Sequence, residues 1–95
     1  MKNCALALAT CWLSLAALAA DSDKAGRCIA VAYAMQKPKA ADDALAVADN
    51  QRVAIAAAEL AMKNLKRTKG TVEQDAYAGQ YIDDCYKIGV KVSRY

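Results

Sequence analysis

Cysteine is the residue type in this chain with the most chemistry available to it. The sequence holds four cysteines and no histidine, and Cys28 and Cys85 stand far apart without a neighbouring cysteine. The usual ligand sets of zinc and haem are therefore missing. A Cys–His pair or a Ser–His–Asp triad cannot form within the chain. We expect no metal, no cofactor and no enzymatic activity.

Two pairs of adjacent carboxylates, Asp42-Asp43 and Asp83-Asp84, are the other groups that could do acid–base chemistry. Adjacent residues on a helix point about a third of a turn apart, so their side chains do not converge on one substrate atom. We interpret both pairs as solvated charges on helical surfaces. Recognition of a partner is the alternative that we keep for them.

The first 19 residues have the pattern of a secretory signal peptide. Lys2 precedes a long apolar run, which ends in small residues at Ala17 and Ala19 before the polar Asp21. We predict cleavage near Ala20 and a helical domain at residues 20–95, periplasmic or secreted, with no membrane attachment after cleavage. A retained anchor helix is the alternative, although no positive charge follows the apolar run.

Export leaves two cysteines, Cys28 and Cys85, in an oxidising compartment. A domain of about 76 residues seldom buries enough apolar surface to be stable without a staple. A bond between these cysteines would close a loop of about 57 residues, which the chain-entropy model values at about 4 kcal/mol. We predict a structural disulfide, with free buried thiols or an intermolecular bond as alternatives.

The abundance of alanine and the single proline favour helices. The first helix is expected from the caps at residues 21–23 to about Gln36, ending before Pro38. The second is expected to start between Lys39 and Asp43 and to reach about Arg67, with Asp42 and Asp43 in its first turn. A break near Asp49-Asn50-Gln51 is allowed, because the apolar register changes there.

A third helix is expected after Gly70, which would terminate the second one. Thr71 would cap the third helix, and Gln74 would reach back to complete a capping box. The fold class is therefore all-α: a small bundle of three to four helices stapled by one disulfide. The third helix should carry one apolar stripe, formed by Tyr77, Tyr81, Cys85, Ile88 and Val92.

A basic group formed by Lys63, Lys66, Arg67 and Lys69 precedes the third helix. It suits the negative end of a helix dipole, and as an alternative it forms an electropositive patch on an exposed loop. Tyr86 projects away from the apolar stripe, and tyrosine is favoured in interfaces. Arg67, Lys69 and Tyr86 are therefore the predicted partner contacts. The net charge of only +3 does not indicate nucleic-acid binding.

Two motifs give the chain a family resemblance: RCIAxAY at residues 27–33 and YIDDCY at residues 81–86. With the alanine- and aspartate-containing residues 40–44, they resemble the periplasmic immunity proteins that neutralise amidase effectors of type VI secretion. The resemblance implies an all-helical, disulfide-linked protein that occludes the cleft of a peptidoglycan amidase, with a homodimer allowed. The motifs carry over no contact residue, because their role is structural.

Three functions are therefore weighed for the chain. The first is an exported protein-binding inhibitor, in particular an immunity protein. The second is a small helical periplasmic chaperone or stress protein, which without histidine would have to switch through its carboxylates at low pH. The third is a secreted structural protein.

Overall fold

The computed structural model of the protein describes residues 20–92, and the predicted leader at residues 1–19 lies outside them. Four helices and no strand make up the described part, so the predicted all-α bundle is confirmed. None of these helices is long and apolar enough to cross a membrane. The helices are α1 (Ser22–Ala34), α2 (Pro38–Val47), α3 (Gln51–Arg67) and α4 (Val72–Lys87).

Helix α1 lies at the centre of the bundle and packs against each of the other three helices. Asp21 caps it, as the sequence predicts: its Oδ1 accepts a hydrogen bond of 3.1 Å from the backbone N–H of Lys24. Nearly every side of α1 is covered by neighbouring helices. Its buried residues are Ala25, Gly26, Cys28, Ile29, Ala30, Val31 and Ala32.

Gly26 sets how closely α1 and α3 approach each other. A Cβ atom at this position would meet the backbone oxygen of Ala54, the Cβ of Ala57 at 2.5 Å and the backbone nitrogen of Ala58 at 2.8 Å. Helix α3 correspondingly turns its smallest side chains towards α1. The two backbones therefore lie nearly in contact. The buried residues of α3 are Ala54, Ala58, Ala61 and Leu65.

Pro38 has a different role from the predicted one. Helix α1 ends at Ala34, and Pro38 is the first residue of α2, where a missing backbone N–H has no cost. The expected start of this helix, with Asp42 and Asp43 in its first turn, is therefore wrong. Both aspartates lie in the middle of α2 and are exposed.

The break allowed near Asp49 is confirmed, because α2 ends at Val47 and α3 begins at Gln51. Asn50 caps α3 by accepting a 3.2 Å hydrogen bond from the N–H of Val53 on its side-chain oxygen. The predicted long second helix is thus two helices that meet at a corner.

This corner is fixed by the residues ahead of α1. The backbone N–H of Ala20 donates to the carbonyl of Val47, and the Ala20 carbonyl accepts from the N–H of Asp49, both at 2.8 Å. The Oγ of Ser22 accepts a 2.7 Å bond from the N–H of Asn50. The start of the described chain therefore ties the α2–α3 corner to α1.

The start of α4 follows the predicted capping pattern in part. Thr71 accepts from the N–H of Gln74 at 3.3 Å, and Gly70 has the positive φ of 80° typical of a helix-terminating glycine. The second predicted bond of the capping box, from the backbone N–H of Thr71 to the Gln74 side chain, does not form. The Gln74 amide accepts from the N–H of Gly70 and donates to the carbonyl of Leu65, while the N–H of Thr71 donates to Thr68.

The apolar stripe of α4 is shorter than expected. Tyr81 and Cys85 are buried in the core and Tyr77 is half-buried, as the spacing predicts. Because α4 ends at Lys87, Ile88 and Val92 lie beyond the helix. Val92 is nevertheless fully buried, so it reaches the core from the segment after the helix.

Candidate functional site

The Cys28–Cys85 disulfide joins the middle of α1 to the last turn of α4. Its Cα atoms lie 4.8 Å apart, and neither cysteine is exposed to solvent. The predicted intramolecular bond is therefore confirmed. The free-thiol and intermolecular alternatives do not describe this structure. The bond lies in the core and holds the two helices together.

Arg27 and Asp84 form an ion pair beside the disulfide. The Nε of Arg27 donates a 2.7 Å hydrogen bond to Oδ2 of Asp84, whose side chain is only 7% exposed. This hydrogen bond raises the pKa of Arg27 above its ordinary value. The interpretation of the Asp83-Asp84 pair as solvated charge holds for Asp83, which is exposed and pairs with Lys87 at 3.1 Å. It is wrong for Asp84.

A signal for this pair is present in the sequence. Arg27 directly precedes Cys28, and Asp84 directly precedes Cys85. Two opposite charges that each directly precede a bonded cysteine are brought close to each other once the bond forms. The partner of Asp84 could therefore have been found from the predicted disulfide.

The predicted contact residues lie in two separate places. Arg67 is the last residue of α3, and Lys69 is in the loop that follows it; both are exposed. Tyr86 is half exposed near the far end of α4, roughly 20 Å away along the helix axis, and its hydroxyl donates to the carbonyl of Val92 at 3.1 Å. The three residues therefore do not form one small surface.

The large exposed apolar side chains are concentrated around α3, which sequence reasoning did not identify as a surface. Five of the seven in the described residues lie on α3 or on the neighbouring part of α1. They flank the buried alanine stripe of α3 on its two sides. We call them the α3 face: Tyr33, Val53, Ile55, Leu60 and Met62.

On one side of α3 lies a groove of about 310 Å³, which we call the Arg27 groove. Val53 and Leu60 form its apolar wall, while Arg27 and Tyr81 come from α1 and α4. Tyr81 is almost fully buried, and its ring lies 5.8 Å from that of Tyr77. The complete lining is Asp23, Arg27, Val53, Ala56, Ala57, Leu60, Ala61, Asn64 and Tyr81.

On the other side of α3 lies a groove of about 420 Å³, which we call the Tyr33 groove. Its lining is mostly apolar, with Tyr33, Leu45 and Ile55 from three different helices. Asp42 and Glu59 supply the carboxylates of its lining. The other members are Ile29, Ala41, Ala58 and Met62.

A third cavity of about 340 Å³ shares Tyr33 and Met62 with the Tyr33 groove. Lys66 and Lys69 line it together with Gln74. Lys69, one of the predicted contact residues, therefore lies next to the α3 face. One apolar surface thus runs from an acidic end to a basic end.

The described residues contain no cluster of three or more histidine, cysteine, aspartate or glutamate side chains placed to hold a metal ion. What the arrangement offers is exposed apolar side chains on two flanks of α3, with polar groups beside them. Compared with known proteins, the chain gives no significant match to any family model, curated protein or solved structure.

Proposed function

We propose that this protein is an exported inhibitor that binds another protein through the α3 face. The observation that carries the proposal is the exposure of Tyr33, Val53, Ile55, Leu60 and Met62 on one helix pair. Each flank of α3 carries a group of these side chains, and exposed apolar patches on a small domain are typical of binding sites. A few well-packed residues supply most of the free energy of association in protein interfaces, and tyrosine is one of the types enriched among them.

The scaffold beneath the α3 face suits an inhibitor. Helix α1 is tied to α4 by the disulfide and by the Arg27–Asp84 pair, and it lies against α3 at Gly26. A side chain held on such a framework loses little conformational freedom when a partner binds. Affinity then depends on the fit of the face rather than on ordering the chain.

The specific form that we propose is a periplasmic immunity protein against a peptidoglycan amidase. It rests on the likeness of residues 27–33 and 81–86 to that family. Each motif contains one of the two bonded cysteines and one of the two paired charges, so together the motifs build the scaffold. The α3 face would cover the cleft of the amidase, and Arg67 and Lys69 would lie at the edge of the contact.

Co-expression tests the proposal. The full-length chain, with its own leader, is produced in bacteria together with a periplasm-directed amidase encoded by the neighbouring gene. We expect growth to be protected and the two proteins to co-purify. Failure of both protection and binding would contradict the proposal, as would the absence of any amidase gene beside this one.

Matched substitutions locate the surface. Leu60→Gln and Met62→Gln remove apolar contact area while keeping residues that favour helix, and each should weaken binding at least tenfold. Val72→Gln is the control, because Val72 is exposed but lines none of the three cavities. Equal effects of all three substitutions would contradict the assignment of the α3 face.

The same preparation separates the inhibitor from a chaperone. A chaperone would suppress the aggregation of unrelated client proteins at about pH 2 to 3, where carboxylates are protonated. The inhibitor should leave client aggregation unchanged. If the wild-type chain suppresses client aggregation and does not bind the amidase, the inhibitor function is contradicted and the chaperone function is supported.

A further inference from the structure

We propose that the Arg27 groove binds an uncharged, extended segment of the partner protein. A backbone carbonyl of that segment is held by Arg27 and Tyr81, and an aliphatic side chain lies against Val53 and Leu60. This inference rests on the proposed function, since it names the chemistry that one flank of the α3 face recognises.

The floor of the groove carries a buried hydroxyl with a proton to donate. Tyr81 is only 2% exposed. Its oxygen accepts a 3.2 Å hydrogen bond from Nδ2 of Asn64, which also lines the groove. Among residues 20–92, that hydroxyl donates to no acceptor. A ligand carbonyl would supply one.

Arg27 supplies the second donor. Its Nε is taken by Asp84, and the guanidinium carries two further amino groups beyond that nitrogen. The side chain is 30% exposed, and Arg27 lines the groove. The ion pair with Asp84 holds the guanidinium in place, so its outer N–H groups are positioned before a ligand arrives.

The charge balance of the groove selects a neutral ligand. The positive charge of Arg27 is matched by the buried Asp84, which lies outside the lining. Asp23 is the carboxylate of the lining, and it is exposed, so solvent screens its charge. An anionic ligand would meet the Asp23 carboxylate while gaining only a cation that is already paired. A cationic ligand would meet the unpaired donors of Arg27 and Tyr81 and would gain little from the screened Asp23. A peptide carbonyl can accept from the same donors without bringing a charge.

The walls of the groove suit an aliphatic side chain. Leu60 is 64% exposed and Val53 is 43% exposed, and both lose water when the groove is filled. The alanines between them keep the groove open. Its volume of about 310 Å³ is at the small end of the range of ligand sites, so it holds one segment rather than a domain.

Three small probes test the inference on the oxidised full-length chain by NMR. N-acetyl-leucine N′-methylamide is neutral, N-acetyl-leucine is anionic and leucinamide is cationic. We expect the neutral probe to give saturable shifts centred on the Arg27 Nε–H and the Leu60 amide. The anion should bind at least about tenfold more weakly, and the cation should bind no more tightly than the neutral probe.

Two variants add a check that does not depend on probe charge. Tyr81→Phe keeps the ring in the core and removes the hydroxyl, so the neutral probe should bind about three- to tenfold more weakly. Ile55→Gln, on the opposite flank of α3, should leave its binding unchanged. Shifts centred on Ile55 and Met62, no saturation, or equal binding of the anion would overturn the inference.

The outcomes of this test and of the amidase test are separate. Saturable binding of the neutral probe without amidase binding would support the groove as a ligand site and would contradict the inhibitor function. Amidase inhibition without probe binding would support the inhibitor function and would contradict the role of the Arg27 groove in the interface.

Discussion

Arg27 and Asp84 form their ion pair one residue before each of the two bonded cysteines. The ion pair and the disulfide therefore span the same separation of 57 residues between α1 and α4. Once either contact has formed, the loop is already closed, so the other contact forms without a further entropic cost of loop closure. The two contacts should stabilise the fold as one unit.

The ion pair should show strong coupling in a double-mutant cycle. Arg27→Met keeps the aliphatic stem but leaves the buried Asp84 carboxylate without its partner, which we expect to lower the unfolding free energy by about 2 to 3 kcal/mol. Asp84→Asn in the same background should recover part of that loss, because it removes the unpaired charge. Urea unfolding of the oxidised protein measures each step. Strictly additive effects would contradict the pair.

Removal of the disulfide should cost more than any other single change in the core. The variant carrying Cys28→Ala and Cys85→Ala places no thiol or hydroxyl at the two positions, and we expect it to lose about 4 kcal/mol of unfolding free energy. The measurement is denaturant unfolding of the double variant against the oxidised wild type. A loss below about 1 kcal/mol would mean that packing alone holds α1 and α4 together.

Gly26→Ala should destabilise the protein, although alanine is the better helix former. The added methyl group would meet the backbone of Ala54 and Ala58 and the side chain of Ala57, so α3 would have to move away. Overpacking of this kind costs about 1 to 3 kcal/mol. The midpoint of thermal unfolding should therefore fall. A rise would show that helix propensity outweighs the close approach.

Acid should weaken the cap of α1. The hydrogen bond from the N–H of Lys24 lowers the pKa of Asp21 in the folded state. Its stabilising effect is thus present above the unfolded pKa, about 3.9, and is lost as the pH falls through the lower folded value. Asn is an equally good cap without a charge, so Asp21→Asn should remove this dependence. Unfolding midpoints of both proteins between about pH 5 and 2 give the comparison, and parallel curves would contradict it.

Local sequence signals predicted the parts of the fold that depend on a few neighbouring residues. The cap at Asp21, the cap at Thr71 and the terminating Gly70 each act within one helical turn. The disulfide followed from the two cysteines that lie beyond the predicted leader. Each of these inferences needs little knowledge of what packs against what.

Tertiary contacts decided what the sequence left open. The large apolar residues of α3 fall on two faces, and nothing in their spacing shows that the alanines between them are the buried side. That choice depends on Gly26, a residue on another helix that lets α3 approach closely. Asp84 is likewise buried because Arg27 reaches it from α1. The α3 face and both grooves could therefore not be read from local pattern.

The corner between α2 and α3 bears on how a partner would be recognised. Ala20 and Ser22 hold that corner through the backbone groups of Val47, Asp49 and Asn50. Leu45 and Ile55, on opposite sides of the corner, line the same Tyr33 groove. The groove is therefore preorganised, and the free and bound protein should superpose closely, as in rigid-body docking.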